Sequence, residues 1–244
     1  MKTRSWKIKT IVIAFLCLSI LGLSYYFKVF LPSKELAAEK LAKENKIHEY
    51  ENFFESANAN LLSAFNKTNI LFIQGTTMNN KIKTMGNTIR ALASQEFSDT
   101  IESMAKYAKE RLERSKLALA YAKALYQGND PKLKELHTYL KSTFYYTLKS
   151  AEGEWIRVNR LDCSISVIRG EKSTNDCATT VEEDDKIAFY GQQFELANEE
   201  YRKFIDLAAT ESIQVGCLKC AAILTNNQEE IDQSVSIIKS QLSK

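Results

Sequence analysis

The residue type with the clearest chemical pattern in this sequence of 244 residues is cysteine. Four of its five cysteines lie in the C-terminal half of the chain, at Cys163, Cys177, Cys217 and Cys220. The last two form a C-x-x-C motif, a spacing that occurs in structural disulfides and in redox-active dithiols. In an oxidising compartment an even number of cysteines predicts two disulfides, for which three pairings are possible.

The helical pattern between Cys177 and Cys217 selects one pairing. A continuous helix from about Glu182 to Cys217 rises about 1.5 Å per residue and places Cys217 roughly 50 Å from the helix start. Cys177 lies only five residues before that start. We therefore expect the pairs Cys163–Cys177 and Cys217–Cys220. The first would close about 15 residues and contribute roughly 3 kcal/mol in the chain-entropy model.

The C-x-x-C motif has a structural, a redox and a metal interpretation. Residues three apart on a regular helix have Cβ atoms about 5–6 Å apart, whereas a disulfide needs about 3.8 Å, so we expect Gly216 to relax the backbone. Lys219 could lower a thiol pKa, but redox motifs of the thioredoxin kind follow a strand, and this region is helical. We therefore favour a structural pair. A zinc site of four thiolates would need other spacings around Cys177, so we expect no metal.

An uncharged apolar run near the N-terminus predicts the compartment. Residues 10–27 carry no charged side chain, and the apolar length extends to Leu31 after one lysine. This length suits one membrane-spanning helix, and the basic residues before it favour a cytoplasmic N-terminus. The sequence predicts a cytoplasmic tail at 1–9, a transmembrane signal-anchor at 10–31 and an extracytoplasmic remainder, periplasmic in a Gram-negative cell. Cleavage near Gly22 is the alternative.

Charge and composition disfavour several classes of function. Residues 1–31 hold five of the 33 Lys and Arg residues and none of the 30 acidic ones, so the rest of the chain is slightly acidic. This charge and the predicted compartment disfavour nucleic-acid binding. No glycine-rich phosphate loop or catalytic motif occurs, and the two histidines, His48 and His137, are expected on the surface. We therefore expect no nucleotide, no cofactor and no enzymatic activity.

The scarcity of glycine and proline predicts an all-α protein. Only eight Gly and two Pro occur, and apolar residues recur every three or four positions along most of the chain. We expect Pro32 and Ser33 to begin a charged helical stalk at 32–46. A bundle follows at 47–244, and its first helix is expected to end near Gly75. Because each helix has one apolar stripe to bury, we predict an elongated antiparallel helical bundle behind the anchor.

Individual residues divide the bundle into further helices. The apolar stripe changes phase near residues 96–98, which predicts a kink there, and Asp130 followed by Pro131 predicts a helix start. Residues 106–114 mix charges at i, i+4 spacing and are expected to form a solvated helix face. A last, short helix is expected to begin at Asn227.

One segment departs from the helical pattern. Within residues 159–180, apolar and polar side chains alternate from Leu161 to Val167, which is the period of a strand, and a polar turn-like stretch follows. Residues 182–185 are four carboxylates, which favour a helix start through the helix dipole. We therefore expect one short non-helical excursion, a hairpin or ordered loop closed by the Cys163–Cys177 disulfide.

An anchor, a stalk and a helical body without a catalytic constellation favour a protein that binds other proteins. Our leading hypothesis is a membrane-anchored, non-enzymatic accessory, adaptor, exclusion or immunity-type factor of the cell envelope. The first alternative is a bundle that holds a small molecule or lipid. The aromatic side chains expected to line its pocket are Tyr121, Tyr126, Phe144, Tyr145, Phe194 and Tyr201. The second alternative is a thiol–disulfide redox protein that uses Cys217 and Cys220.

Overall fold

The computed structural model describes residues 18–85 and 94–242 of the chain. Every regular element within these residues is a helix, which confirms the predicted all-α class. The chain divides into two compact units between His48 and Glu49. The second unit is the helical bundle, and it contains both disulfides.

The first unit is helical throughout its described residues. A π-turn at Tyr26–Phe30 precedes helix α1, Leu31–Ala57, which continues into the second unit. The large apolar side chains between Leu18 and Phe30 are exposed. No helix in the described part of the chain combines the length and the apolarity needed to cross a membrane. Residues 10–17 of the predicted anchor lie outside that part.

Pro32 does not begin a new helix, because helical backbone runs through it. The N–H of Leu31 donates to the carbonyl oxygen of Tyr26, five residues back, as in a π-turn. Since proline has no N–H to donate, this local change of hydrogen-bond register accommodates it within the helix. Ser33 does not cap a helix either, because its hydroxyl donates to the carbonyl oxygen of Phe30 at 2.8 Å.

The second unit forms an antiparallel bundle from the helices that follow α1. Their bounds are α2 Ser63–Thr84, α3 Gln95–Ala124, α4 Pro131–Ile168, α5 Val181–Val215 and α6 Leu218–Leu242. A π-turn at Asn58–Leu62 joins α1 to α2. Successive helices from α2 to α5 reverse direction, as three ion pairs between neighbours show: Lys81 with Glu96, Arg111 with Glu154, and Arg160 with Asp184.

Close helix packing explains why Gly75 does not end a helix as expected. Gly75 lies inside α2 and is buried. A Cβ atom at this position would come within 2.8 Å of the Glu154 carboxylate of α4. Because glycine has no side chain, it allows α2 and α4 to pack closely here. Gly153 has the same role between α4 and α5, where a Cβ would overlap the carbonyl oxygen of Lys186.

Hydrogen-bonded caps set the starts of three helices. Asp130 caps α4 by accepting from the N–H of Lys132 at 2.8 Å, with Pro131 in the first turn as predicted. Thr180 caps α5 in a capping box with Glu183. Ser94 caps α3, so a new helix begins just before residues 96–98, where a kink was expected.

The prediction of a strand-like segment between Leu161 and Val167 is wrong, because α4 continues to Ile168. Val158, Leu161 and Ile165 follow one another at spacings of three and four, and this helical stripe decides the conformation. Ile165 is buried and forms a cluster with two side chains of α3, Phe97 and Ile101. Leu161 packs against this cluster. The non-helical excursion is therefore shorter than expected and is confined to residues 169–180, which include only a 3-10 turn.

The last helix begins earlier than predicted. α6 starts at Leu218, directly after the bend at Gly216, where φ is +79°. Asn227 lies inside this helix and is buried, and its amide donates to the carbonyl oxygen of Ile223 and to Oδ1 of Asn58, both at 2.8 Å. These hydrogen bonds of its buried amide, rather than capping, account for asparagine at this position.

Aromatic side chains fill much of the bundle core. Phe65 of α2 stacks on Tyr201 of α5 with ring centroids 4.1 Å apart, and Phe72 stacks on Phe194 at 3.9 Å. Helix α1 and the π-turn after it contribute four buried residues at helical spacing, which are Tyr50, Phe54, Ala57 and Leu61. The core thus holds α2 against α5 as well as against its neighbours in the chain.

Candidate functional site at the disulfide-closed loop

The chain reverses between α4 and α5 in a loop that a disulfide closes. Gly170, with φ +76°, allows the turn after α4 because glycine has no Cβ to clash in this region. The 3-10 turn Thr174–Cys177 follows, and Cys177 is bonded to Cys163 of α4 with Cα atoms 5.6 Å apart. We call residues 169–180 and the adjoining ends of α4 and α5 the loop end.

A cavity of about 480 Å³ opens to solvent beside this disulfide. Cys163 and Cys177 both line it, and Trp155 adds an aromatic side chain. Charged residues of both signs also line it: Arg160, Asp162, Lys172, Asp176 and Glu183. Its volume lies within the range of roughly 300–1,000 Å³ found for ligand pockets, but those pockets are mostly apolar. A polar, open cavity suits contact with another polar surface.

Carboxylates dominate the charge of the loop end. The one guanidinium in the cavity lining, on Arg160, pairs with Oδ1 of Asp184 at 2.6 Å. The N–H and hydroxyl of Ser173 both donate to Oδ2 of Asp176 at 2.9 Å, and these bonds lower the pKa of that carboxyl below its ordinary value. Asp176 therefore stays ionised at neutral pH. Lys172 is the remaining cation of the lining, so the loop end is acidic.

The second disulfide lies at the bend between α5 and α6. Cys217 comes directly before the first residue of α6 and Cys220 lies in its first turn, so the pair does not lie on a regular helix. This explains how residues three apart can bond, with Cα atoms 5.3 Å apart. The N–H of Cys220 also donates to Sγ of Cys217 at 3.2 Å. The pairing predicted from the chain geometry is the one that the structure has.

The C-x-x-C pair is buried. Cys217 is 1% exposed and Cys220 is 0% exposed. Lys219, expected to act on a thiol, forms an ion pair with Glu55 of α1, which raises the pKa of Lys219. Since the four sulfurs form two disulfides, none of them is a thiolate that could bind zinc. The described residues contain no group of three or more His, Cys, Asp and Glu placed to hold a metal.

A buried ion pair in the bundle core is the largest feature that the sequence pattern missed. Arg111 is fully buried, although residues 106–114 were expected to be solvated. Its Nη1 lies 2.6 Å from Oε2 of Glu154, and its Nη2 donates to the hydroxyl of Ser150 at 3.0 Å. The guanidinium also lies 4.6 Å from the ring centroid of Phe72. We call Arg111, Ser150 and Glu154 the core polar cluster.

Burial controls the ionisation of this cluster. Loss of hydration raises the pKa of Glu154 and lowers that of Arg111, and the attraction between their charges opposes both shifts. Two sequence signals point to the cluster. Arg111 follows the stripe residues Met104 and Ala108 at spacings of four and three, and Glu154 stands four before the buried Val158. A charge at a stripe position in each of two neighbouring helices predicts a buried pair.

A second buried polar contact joins α1, α4 and α5. The Tyr50 hydroxyl lies 3.2 Å from Oδ1 of Asp130 and 3.5 Å from Oε2 of Glu211. Burial, followed by the two carboxylates, raises the pKa of Tyr50 above its ordinary range. Tyr50 therefore remains protonated and can donate a hydrogen bond to the residue that caps α4.

The two histidines differ in their surroundings. His48 is exposed, as expected. The expectation of a surface position is wrong for His137, which is 6% exposed, and its Nε2 lies 2.8 Å from the carbonyl oxygen of Ala122. This contact places His137 in the interface between α3 and α4, where it satisfies a backbone oxygen near the end of α3.

The six aromatic residues expected to line a pocket divide between the surface and the interior. Tyr121, Tyr126 and Tyr145 are exposed, whereas Phe144 and Tyr201 belong to the core. Phe194 is partly buried and stacks on Phe72. None of the six lines the cavity at the loop end.

Comparison with known proteins finds no protein family, curated protein or solved structure that matches this chain. The site itself is therefore the basis for the functional proposal.

Proposed function

We propose that this protein is a membrane-anchored, extracytoplasmic helical protein that binds another protein of the cell envelope and is not an enzyme. The observation that carries the proposal is the pair of disulfides in the bundle. Disulfides persist in oxidising compartments and are rare in the cytosol. Basic residues and an apolar run precede this bundle in the sequence, which is the arrangement of a signal-anchor.

The loop end offers the surface for this interaction. Two large apolar side chains flank the loop and are exposed, Ile168 at the end of α4 and Val181 at the start of α5. The same loop end contains the open cavity, whose charged lining includes three carboxylates. Exposed apolar residues within a polar surround are typical of surfaces that bind proteins. The acidic rim favours a partner with basic residues at its interface.

Crosslinking in intact cells tests the proposal. A photoreactive amino acid replaces Lys172 in the loop and, as the matched control, Lys109 on the exposed face of α3. We expect a specific protein adduct from position 172 and none from position 109, identified by mass spectrometry. Adducts that are the same from both positions, or no protein adduct at position 172, would contradict the proposed interaction surface.

A further inference from the structure

The two disulfides differ in their access to solvent, and access limits thiol–disulfide exchange. Cys163 and Cys177 are partly exposed and line the open cavity. Cys217 and Cys220 are enclosed by the bundle. A thiolate from another molecule can therefore reach the loop disulfide in the folded protein, whereas the C-x-x-C disulfide requires the bundle to open first.

The loop can release its disulfide without disturbing the core. Residues 170–176 are all exposed. Their backbone–backbone hydrogen bonds to α4 involve its last turn, where Gly170 and Glu171 donate to the carbonyl oxygens of Val167 and Ser166. The bonds between Ser173 and Asp176 lie within the loop and keep its turn formed. The disulfide can therefore open and close again while α4 and α5 remain packed.

The charges around the sulfurs indicate which thiols react. Asp162, Asp176 and Glu183 line the cavity, and Asp184 already neutralises Arg160. An acidic rim repels anionic thiols and attracts cationic ones at low ionic strength. Lys172 lies in the same lining, and a cation near a sulfur favours its thiolate form.

We propose that Cys163–Cys177 is a thiol–disulfide exchange site and that its reaction partner is a dithiol protein with a basic surface around its reactive cysteine. The inference goes beyond the proposed function, because the reaction occurs or fails in the purified chain whatever else the loop end binds. A partner thiolate attacks one sulfur and forms a mixed disulfide, and the other cysteine leaves as a thiolate. The second partner thiol then resolves the mixed disulfide. Two electrons and two protons pass to Cys163 and Cys177, and the partner becomes a disulfide.

Timed alkylation of the purified full-length chain tests the site. The chain is incubated with a small dithiol, and free thiols are trapped at intervals and assigned by mass spectrometry. We expect Cys163 and Cys177 to become free at least about tenfold faster than Cys217 and Cys220, since only the second pair requires local unfolding. Equal rates, or faster opening of Cys217–Cys220, would overturn the proposal.

Charged monothiols test the chemistry of the partner. Cysteamine and 3-mercaptopropionate are compared at matched thiolate concentrations, first at low and then at high salt. We expect cysteamine to open Cys163–Cys177 several-fold faster at low salt and the difference to shrink at high salt, where surface charges are screened. Replacement of Asp162 by Asn should reduce the preference. No charge preference in the native chain would overturn the basic-partner assignment.

Trapping with a protein dithiol completes the test. The probe is a thioredoxin-class protein whose resolving cysteine is replaced by serine, so that a mixed disulfide accumulates. A conjugate at Cys163 or Cys177 of the native chain supports the proposal. A conjugate found only at Cys217 or Cys220 contradicts it, and so does a fully oxidised chain that forms no conjugate.

Discussion

The bundle core and the loop end each contain an arginine–carboxylate pair with the same N···O distance. Arg111 and Glu154 lie 2.6 Å apart in the core, and Arg160 and Asp184 lie 2.6 Å apart at the loop end. The core pair has almost no exposed side-chain surface, whereas about half of each loop-end side chain is exposed. Distance alone therefore does not rank these pairs, because burial sets the cost of leaving a charge without its partner.

The disulfides show the same contrast. The C-x-x-C pair lies in the interior and the loop pair lines a solvent-filled opening. The core thus encloses its ion pair and its disulfide, while the loop end exposes reactive and charged groups to other molecules. This division assigns stability to the core and interaction to the loop end, and the following changes test it.

Replacement of Arg111 by Met should have the largest effect. It leaves the carboxylate of Glu154 buried without its partner, which we expect to lower the free energy of unfolding by about 3–5 kcal/mol. Urea denaturation followed by circular dichroism measures the change. The control adds Glu154→Leu to Arg111→Met, and because this removes the unpaired charge, the double variant should be more stable than Arg111→Met alone. A single-variant loss below about 1 kcal/mol would show that the core pair resembles a surface pair.

Removal of the loop disulfide should rank second. The variant with Cys163→Ala and Cys177→Ala loses the constraint on a loop whose cysteines are 14 positions apart. We expect a loss of roughly 3 kcal/mol from the chain-entropy model, with the helical content of the folded state unchanged. Urea denaturation gives the first quantity and far-ultraviolet circular dichroism the second. A loss of native helix in this variant would contradict the separation between loop end and core.

Replacement of Arg160 by Gln should have a small effect. Both side chains of this pair are about half exposed, so hydration compensates the lost attraction and we expect a change of about 0–1 kcal/mol. The Arg111→Gln variant, measured in the same denaturation series, is the matched comparison because it removes the same guanidinium from the core. Similar losses for the two variants would refute the role assigned to burial.

Acid should affect the turn of the loop through Asp176. Its pKa lies below the ordinary value of 3.8 because Ser173 donates two hydrogen bonds to the ionised carboxylate. The stabilisation is present above pH 3.8 and is lost as the pH falls through the lowered pKa. We expect the amide resonance of Ser173 to titrate with a midpoint below 3.8, and not to titrate in Asp176→Asn. A midpoint above 3.8 would contradict the hydrogen-bonded geometry.

The sequence predicts the helical fold well because its signals are local. Periodic apolar residues, the Asp130–Pro131 start and the long helix before Cys217 each act over a few turns, and together they predict both disulfides. The pattern between Leu161 and Val167 misleads because both strand and helix periods fit it, and only contact with Phe97 and Ile101 decides between them.

The candidate site depends on contacts that the sequence does not specify. Gly75 leaves room for the Glu154 carboxylate of α4. The C-x-x-C motif suggests redox chemistry, yet packing buries its disulfide. The Cys163–Cys177 disulfide, which belongs to no sequence motif, lies at the surface instead. Burial and exposure at these positions arise from tertiary packing, which residue spacing along one helix does not contain.

The location of the bundle relative to the membrane tests the central claim most directly. Each of two reporter enzymes is fused after Lys244 in a separate version of the chain. One is alkaline phosphatase, which is active only outside the cytoplasm, and the other is β-galactosidase, which is active only inside it. The account predicts phosphatase activity and no galactosidase activity, with matched expression of both fusions. Galactosidase activity with inactive phosphatase would place the bundle in the cytoplasm and contradict the proposed envelope function.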